Sequence, residues 1–149
     1  MGFFYRSGVN STNVRYHVRD VLRIYFPKNM CYNKPMSNCL FCKIIAGEIP
    51  AKKLYEDDEI LAFLDINPMA PVHFLVISKK HINNLMEMEE SDAAVVGRMF
   101  FKAQEIAKEQ GCEEKGGRFV INTKTDGGQT IDHLHIHFLG GRVLGLSPG

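Results

Sequence analysis

The sequence predicts an α+β fold, a mostly antiparallel sheet of about five strands with one short and one long helix. Three observations predict it. Apolar residues recur at helical spacing over one long stretch, from Ala94 to Ala107, with Gly111 just beyond it. Strand-like runs lie on both sides of that stretch, joined by short loops and not alternating with further helices. Residues 133–138 alternate strictly between histidine and an apolar residue, the period of a half-buried strand.

Each element has its own local cause. In residues 38–50, Leu40, Phe41, Ile44 and Ile45 make one helical face, and Gly47 is placed to stop a short helix before Pro50. Residues 53–55 and 60–64 flank an acidic turn and predict an antiparallel hairpin. Asn67-Pro68 and Pro71 make residues 65–71 a loop. The apolar run that starts at His73 predicts a central strand. Ser91 is placed to cap the long helix, whose apolar face carries Ala94, Val95, Met99, Ala103, Ile106 and Ala107. Residues 118–122 predict a strand, 125–130 a Gly-rich turn and 133–139 the last strand.

Composition narrows the function classes. The chain has 149 residues, 45% hydrophobic and 23% charged, which suits one globular domain. A net charge of +1 supplies no field that would select nucleic acid or an anionic membrane, so a small ligand is the expected partner. No apolar run approaches the ~20 residues of a membrane span, and the start MGFFYRSG lacks a clean signal core with a cleavage site. A cytoplasmic protein is expected. Residues 1–36 carry six basic residues against Asp20 alone, a charge of +5, while residues 37–149 carry twelve basic and sixteen acidic, a charge of −4. The first part is therefore a basic extension, either an organelle transit peptide or an added segment with no address, and residues 37–149 form the domain.

The histidine row is the central signal. In a strand, residues two apart lie on one face at ~6.6 Å intervals, so His133, His135 and His137 would line one side, toward a cleft or solvent, while Leu134, Ile136 and Phe138 enter the core. Metal binding and nucleophilic catalysis both suit such a row. Just upstream, Asp126, Gly127, Gly128, Gln129 and Thr130 combine two glycines with an amide and a hydroxyl, a set suited to phosphate oxygens, which favours catalysis. Cys39 and Cys42 form a C-x-x-C pair, which in a non-secreted chain points to metal or redox chemistry.

At residues 133–139 the sequence resembles the histidine triad family, whose pattern is His-φ-His-φ-His-φ-φ with φ apolar. The resemblance extends to LFCKIIAGEIPAKKLYEDDEILAFLDINPMAP, HFLVISKKHI, INTKTDGGQTIDH and LGGR, which look like the branch that hydrolyses nucleoside phosphoramidates. It runs from about Asn38 to Gly149.

The resemblance implies cleavage of purine nucleoside phosphoramidates or adenylates at the α-phosphorus through a nucleotidyl-histidine, with His135 as nucleophile. His133 and His137 would flank the phosphate, and His73 would be a fourth histidine of the site. Asn122, Gly128, Gln129 and Thr130 would contact phosphate or the leaving group, Asp65 the ribose hydroxyls, and Phe63 the base. No cofactor is needed for catalysis. Some relatives hold a structural zinc, and here Cys39, Cys42, His81 and His133 would be its ligands, an assignment that competes with a catalytic His133. Relatives are usually homodimers, and the apolar tail around Leu146 stands where close animal relatives carry a tryptophan. Dinucleoside polyphosphate hydrolysis and a non-catalytic nucleotide-binding scaffold remain alternatives.

Overall fold

The computed structural model describes residues 38–145; the basic extension and the tail position Leu146 lie outside the described residues. Helix α1 spans Leu40–Ala46 and ends where Gly47 adopts φ 79°, a left-handed conformation open to glycine. Strands β1 (Lys53–Glu56) and β2 (Ile60–Leu64) form the hairpin, closed by the Asp57 carboxylate accepting from the N–H groups of Glu59 and Ile60. Strand β3 is Val72–Ser78, helix α2 is Ala93–Glu109, and β4 (Gly117–Val120) and β5 (His135–Gly140) complete the sheet. Its order is β1-β2-β3-β5-β4, with every neighbouring pair antiparallel.

The pleat sorts side chains onto two faces. One carries Ile60, Ala62, Phe74, Val76, Ile136 and Phe138 and packs with Val96, Met99, Ala103 and Ile106 of α2. Phe74 and Phe138 are register partners, both fully buried, with rings stacked 5.0 Å apart. The other face carries Leu61, Phe63, Leu75 and Ile77 and is joined by Phe41 and Ile44 of α1. In register, Leu75 sits opposite His137 and Ile77 opposite His135, so the histidines belong to the α1 face.

Three boundaries differ from expectation, each for a local reason. Helix α2 is not capped by Ser91, which is exposed in a 3₁₀ turn (Glu90–Asp92). Glu89 and Asp92 cap that turn reciprocally, and buried Asp92 also receives Lys80 Nζ at 2.5 Å, so the carboxylates hold the chain that a serine was expected to hold. Strand β4 occupies 117–120, because Gly117 reaches back to pair with Gly140, where a Cβ would meet the Leu139 carbonyl at 2.5 Å. Strand β5 begins only at His135: the N–H of Leu134 donates to the Ile82 carbonyl at 2.6 Å, and that of His133 to Ile131. The histidine row is therefore split between a loop and a strand.

Candidate active site and metal centre

The split gives the three histidines different partners. His133 is fully buried; its Nε2 donates to the Ser78 carbonyl at 2.7 Å, which leaves the Nδ1 lone pair facing Cys39 Sγ at 3.5 Å and Cys42 Sγ at 3.7 Å. Expected to flank a phosphate, it instead has both ring nitrogens engaged in the interior. His81 Nδ1 lies 3.2 Å from Cys42 Sγ, and its Nε2 donates to Asn83 Oδ1, the amide being oriented by its own NH₂ on Glu87. All four ligand atoms lie within 4.8 Å of one another.

That set fits a metal. Two sulfurs and two nitrogens around a tetrahedral ion with ordinary Zn–S and Zn–N bond lengths are separated by about 3.6 Å. The three S···N distances above bracket that value, and both imidazoles are oriented by hydrogen bonds on the far nitrogen, leaving Nδ1 free of hydrogen. Cys39, Cys42, His81 and His133 thus form a group that could hold a metal ion.

His135 sits beside the group, with 3% of its surface exposed. Its Nδ1 is 2.6 Å from the His133 carbonyl, which only accepts, so Nδ1 carries the hydrogen and Nε2 the lone pair. Phe41, between the two cysteines on α1, meets the rings of both His133 and His135 edge-on, at centroid distances of 5.8 and 5.3 Å.

His137 and His73 form a second pair. The N–H of Met69 donates to His73 Nδ1 at 3.2 Å, so Nδ1 holds the lone pair and Nε2 the hydrogen. That hydrogen points to His137 Nδ1 at 3.0 Å, with an Asp65 carboxylate oxygen 3.5 Å from the same Nε2. His137 consequently carries its own hydrogen on Nε2. Asp65, His73 and His137 also lie close enough to be read as metal ligands, yet the His73 nitrogen that faces the other two is Nε2, which carries the hydrogen because Nδ1 accepts from Met69. His73 and His137 make a hydrogen-bonded pair with the Asp65 carboxylate beside it.

Burial keeps these rings neutral. It pushes His137 down to about 4, aided by the neighbouring His135 and His73 rings and opposed by Asp65. Burial also lowers His135 and His73, again against the pull of Asp65. The His135 and His137 rings are 4.8 Å apart, a lone pair on one beside a donor on the other.

The Gly-rich turn is built differently from expectation. The N–H groups of Gly128 and Gln129 donate inside the turn, to Thr125 and Lys124, and the Gln129 amide donates to Asn83 and Ile131 and accepts from Lys124. Gln129 is a staple for its loop. A Cβ at Gly127 would lie 2.5 Å from the Thr123 carbonyl, so that glycine serves the chain's approach to itself. Thr130 is exposed on the same loop, and Asn122 is half-buried just past β4. Phe63, expected as a wall for a base, is 4% exposed and packs against Phe41 at 5.7 Å, as a core residue does. Phe41, the Ser78 carbonyl, Asn83 and the Met69 peptide were not anticipated; only Phe41 left a signal, its place between the two cysteines.

A protein-family model described as the HIT domain matches residues 46–144. The chain belongs to the HIT family. HitA of Neisseria gonorrhoeae is 48% identical over 105 residues, 70% of this chain and 97% of HitA, and a HIT-like protein of Synechococcus elongatus is 52% identical over 110 residues, 74% of this chain and 96% of its own. Among solved HIT structures, a HIT family hydrolase from Legionella pneumophila superposes with TM-score 0.74 at 46% identity, covering 75% of this chain and all of the other. A histidine triad protein from Clostridium difficile gives 0.71 at 45%, covering 73% and 95%.

Proposed function

We propose that this HIT protein is a nucleotide hydrolase that cleaves purine nucleoside phosphoramidates and adenylates at the α-phosphorus. The observation that carries the reading is the fixed ring of His135, neutral, hydrogen on Nδ1, lone pair on Nε2. A nucleophile needs that state at neutral pH. In the first step Nε2 bonds to phosphorus and the bond to the leaving nitrogen or oxygen breaks. In the second, water displaces His135 from phosphorus. One water is consumed overall, its proton ending on the leaving group and its hydroxyl on phosphorus. The Nε2–H of His137 supports negative charge on the phosphoryl oxygens as the bond forms. Asp65 would receive the ribose hydroxyls, and Asn122 and Thr130 would contact phosphate or the leaving group.

Turnover of an AMP-lysine amide tests the reading. His135→Ala lowers it at least about a thousandfold, as loss of a covalent nucleophile does, and an alkaline quench of wild-type turnover leaves a nucleotide label on His135 that acid releases, as a P–N bond to imidazole requires. Retention of most turnover by the variant overturns the assignment. Comparison with a diadenosine polyphosphate separates the phosphoramidase from the polyphosphate hydrolase, and tight AMP binding without turnover of either identifies a scaffold.

The Cys39, Cys42, His81 and His133 group is proposed to hold a structural zinc, which would fix α1 to the loops before α2 and β5. Elemental analysis finds one zinc per chain, absent from the Cys39→Ser/Cys42→Ser double variant; metal-free wild-type protein refutes it. A homodimer is proposed through β4, an edge strand of the sheet, where exposed Phe119 lies against exposed Phe100 of α2. A monomeric mass by light scattering at micromolar concentration removes it.

A further inference from the structure

We propose that Arg142, exposed and outside the catalytic set, is a positioning residue that fixes the proton arrangement of the His73–His137 pair through the backbone of Met69. The proposal deepens the hydrolase reading and rests on it. Arg142 Nη2 donates to the Met69 carbonyl at 3.1 Å, while Nη1 donates to the Val143 carbonyl at 3.0 Å. Met69 is thereby held at both ends, its carbonyl by the guanidinium and its N–H by His73 Nδ1. Side-chain packing cannot hold it, because Met69 is 73% exposed and Ile66 in the same loop is 87% exposed.

The arginine is itself delivered by the chain. Gly141 turns at φ 80° directly after β5 and lies so close to the loop that a Cβ would meet Pro71 Cβ at 3.0 Å. The turn thus seats residue 142 against the segment that leads into β3. If the Met69 peptide swings away, His73 Nδ1 loses the donor that keeps it unprotonated. A hydrogen on Nδ1 puts a lone pair on Nε2, opposite the lone pair of His137 Nδ1 at 3.0 Å. The pair then separates or reverses both rings, and the Nε2–H that His137 offers to a phosphoryl oxygen is lost.

The experiment compares wild type, Arg142→Ala and Arg142→Lys as full chains. Ring nitrogen shifts of ¹⁵N-histidine-labelled protein report the state of His73 and His137 without reference to activity. Wild type shows hydrogen on Nε2 of both; Arg142→Ala shows a mixed population at both rings, and Arg142→Lys, which keeps one donor, returns toward wild type. With AMP-lysine, Arg142→Ala lowers kcat about two- to tenfold, the worth of one hydrogen bond, with KM unchanged. Wild-type ring shifts in Arg142→Ala overturn the proposal, as does a loss confined to KM. If wild type turns over no nucleotide amide, the hydrolase reading fails and the ring shifts still decide the role of Arg142.

Discussion

Three histidines of one short motif carry two proton arrangements, hydrogen on Nε2 in His133 and His137 and on Nδ1 in His135, and the hydrogen-bond partner of one ring nitrogen sets each. His133 and His135 donate to carbonyls, while His137 accepts from His73. The pH response follows from burial. His137 titrates near 4 in the folded chain, against about 6.5 for a free imidazole, and His135 is lowered as well. The acid limb of kcat/KM is therefore expected below the free-imidazole value of about 6.5, and a limb at or above that value contradicts the burial argument. The same shift has a stability sign. Between pH 6.5 and 4 the unfolded chain binds the proton that folded His137 refuses, so its contribution to stability is complete above 6.5 and is lost as pH falls through that window. Urea unfolding at pH 7, 6 and 5 reads the trend.

The secondary structure was legible wherever periodicity and punctuation agreed. The α1 stop at Gly47, the β2 limits and Met99, Ala103, Ile106 and Ala107 of α2 follow from side-chain spacing, whereas in the first turn of α2 Val96 is buried and Ala94, expected on that face, is exposed. What spacing could not reveal was competition for hydrogen bonds. Ser91 has the form of a cap, yet two carboxylates and Lys80 close the turn, a contest decided by a side chain twelve residues away. Ser91→Ala is therefore expected to change stability by less than about 0.5 kcal/mol, as an exposed substitution does. Asp92→Ala removes a buried cap and costs about 1–2 kcal/mol; chemical denaturation of the two variants ranks them, and equal losses defeat the argument. The histidine alternation likewise suggested one face, but Leu134 bonds to Ile82 and ends the strand before His133. The Gly-Gly turn resembled a phosphate cradle because a self-closed turn and an anion site use the same residues. Its amides had to be traced to their acceptors before the two could be told apart.

Long-range organisation depends on a few ties between distant segments. Cys39 meets His133 across 94 positions and Cys42 meets His81 across 39, so an ion held by this group would cross-link α1 to two loops. Removing it with a chelator is expected to lower the melting temperature by several degrees, since a ligand bound only to the folded state stabilises by mass action. An unchanged melt after verified metal loss would show that packing of Phe41 and Ile44 suffices. The strand order adds a consequence for biosynthesis. Strand β5, the last among the described residues, inserts between β3 and β4, so a nascent polypeptide still short of residue 135 has two unconnected pieces of sheet and a bare gap where its centre belongs. Closure must await translation of residues 135–140, and a product terminated before them would expose adhesive backbone edges while lacking His135 altogether. The six residues that close the sheet are thus the same ones that bring His135 and His137.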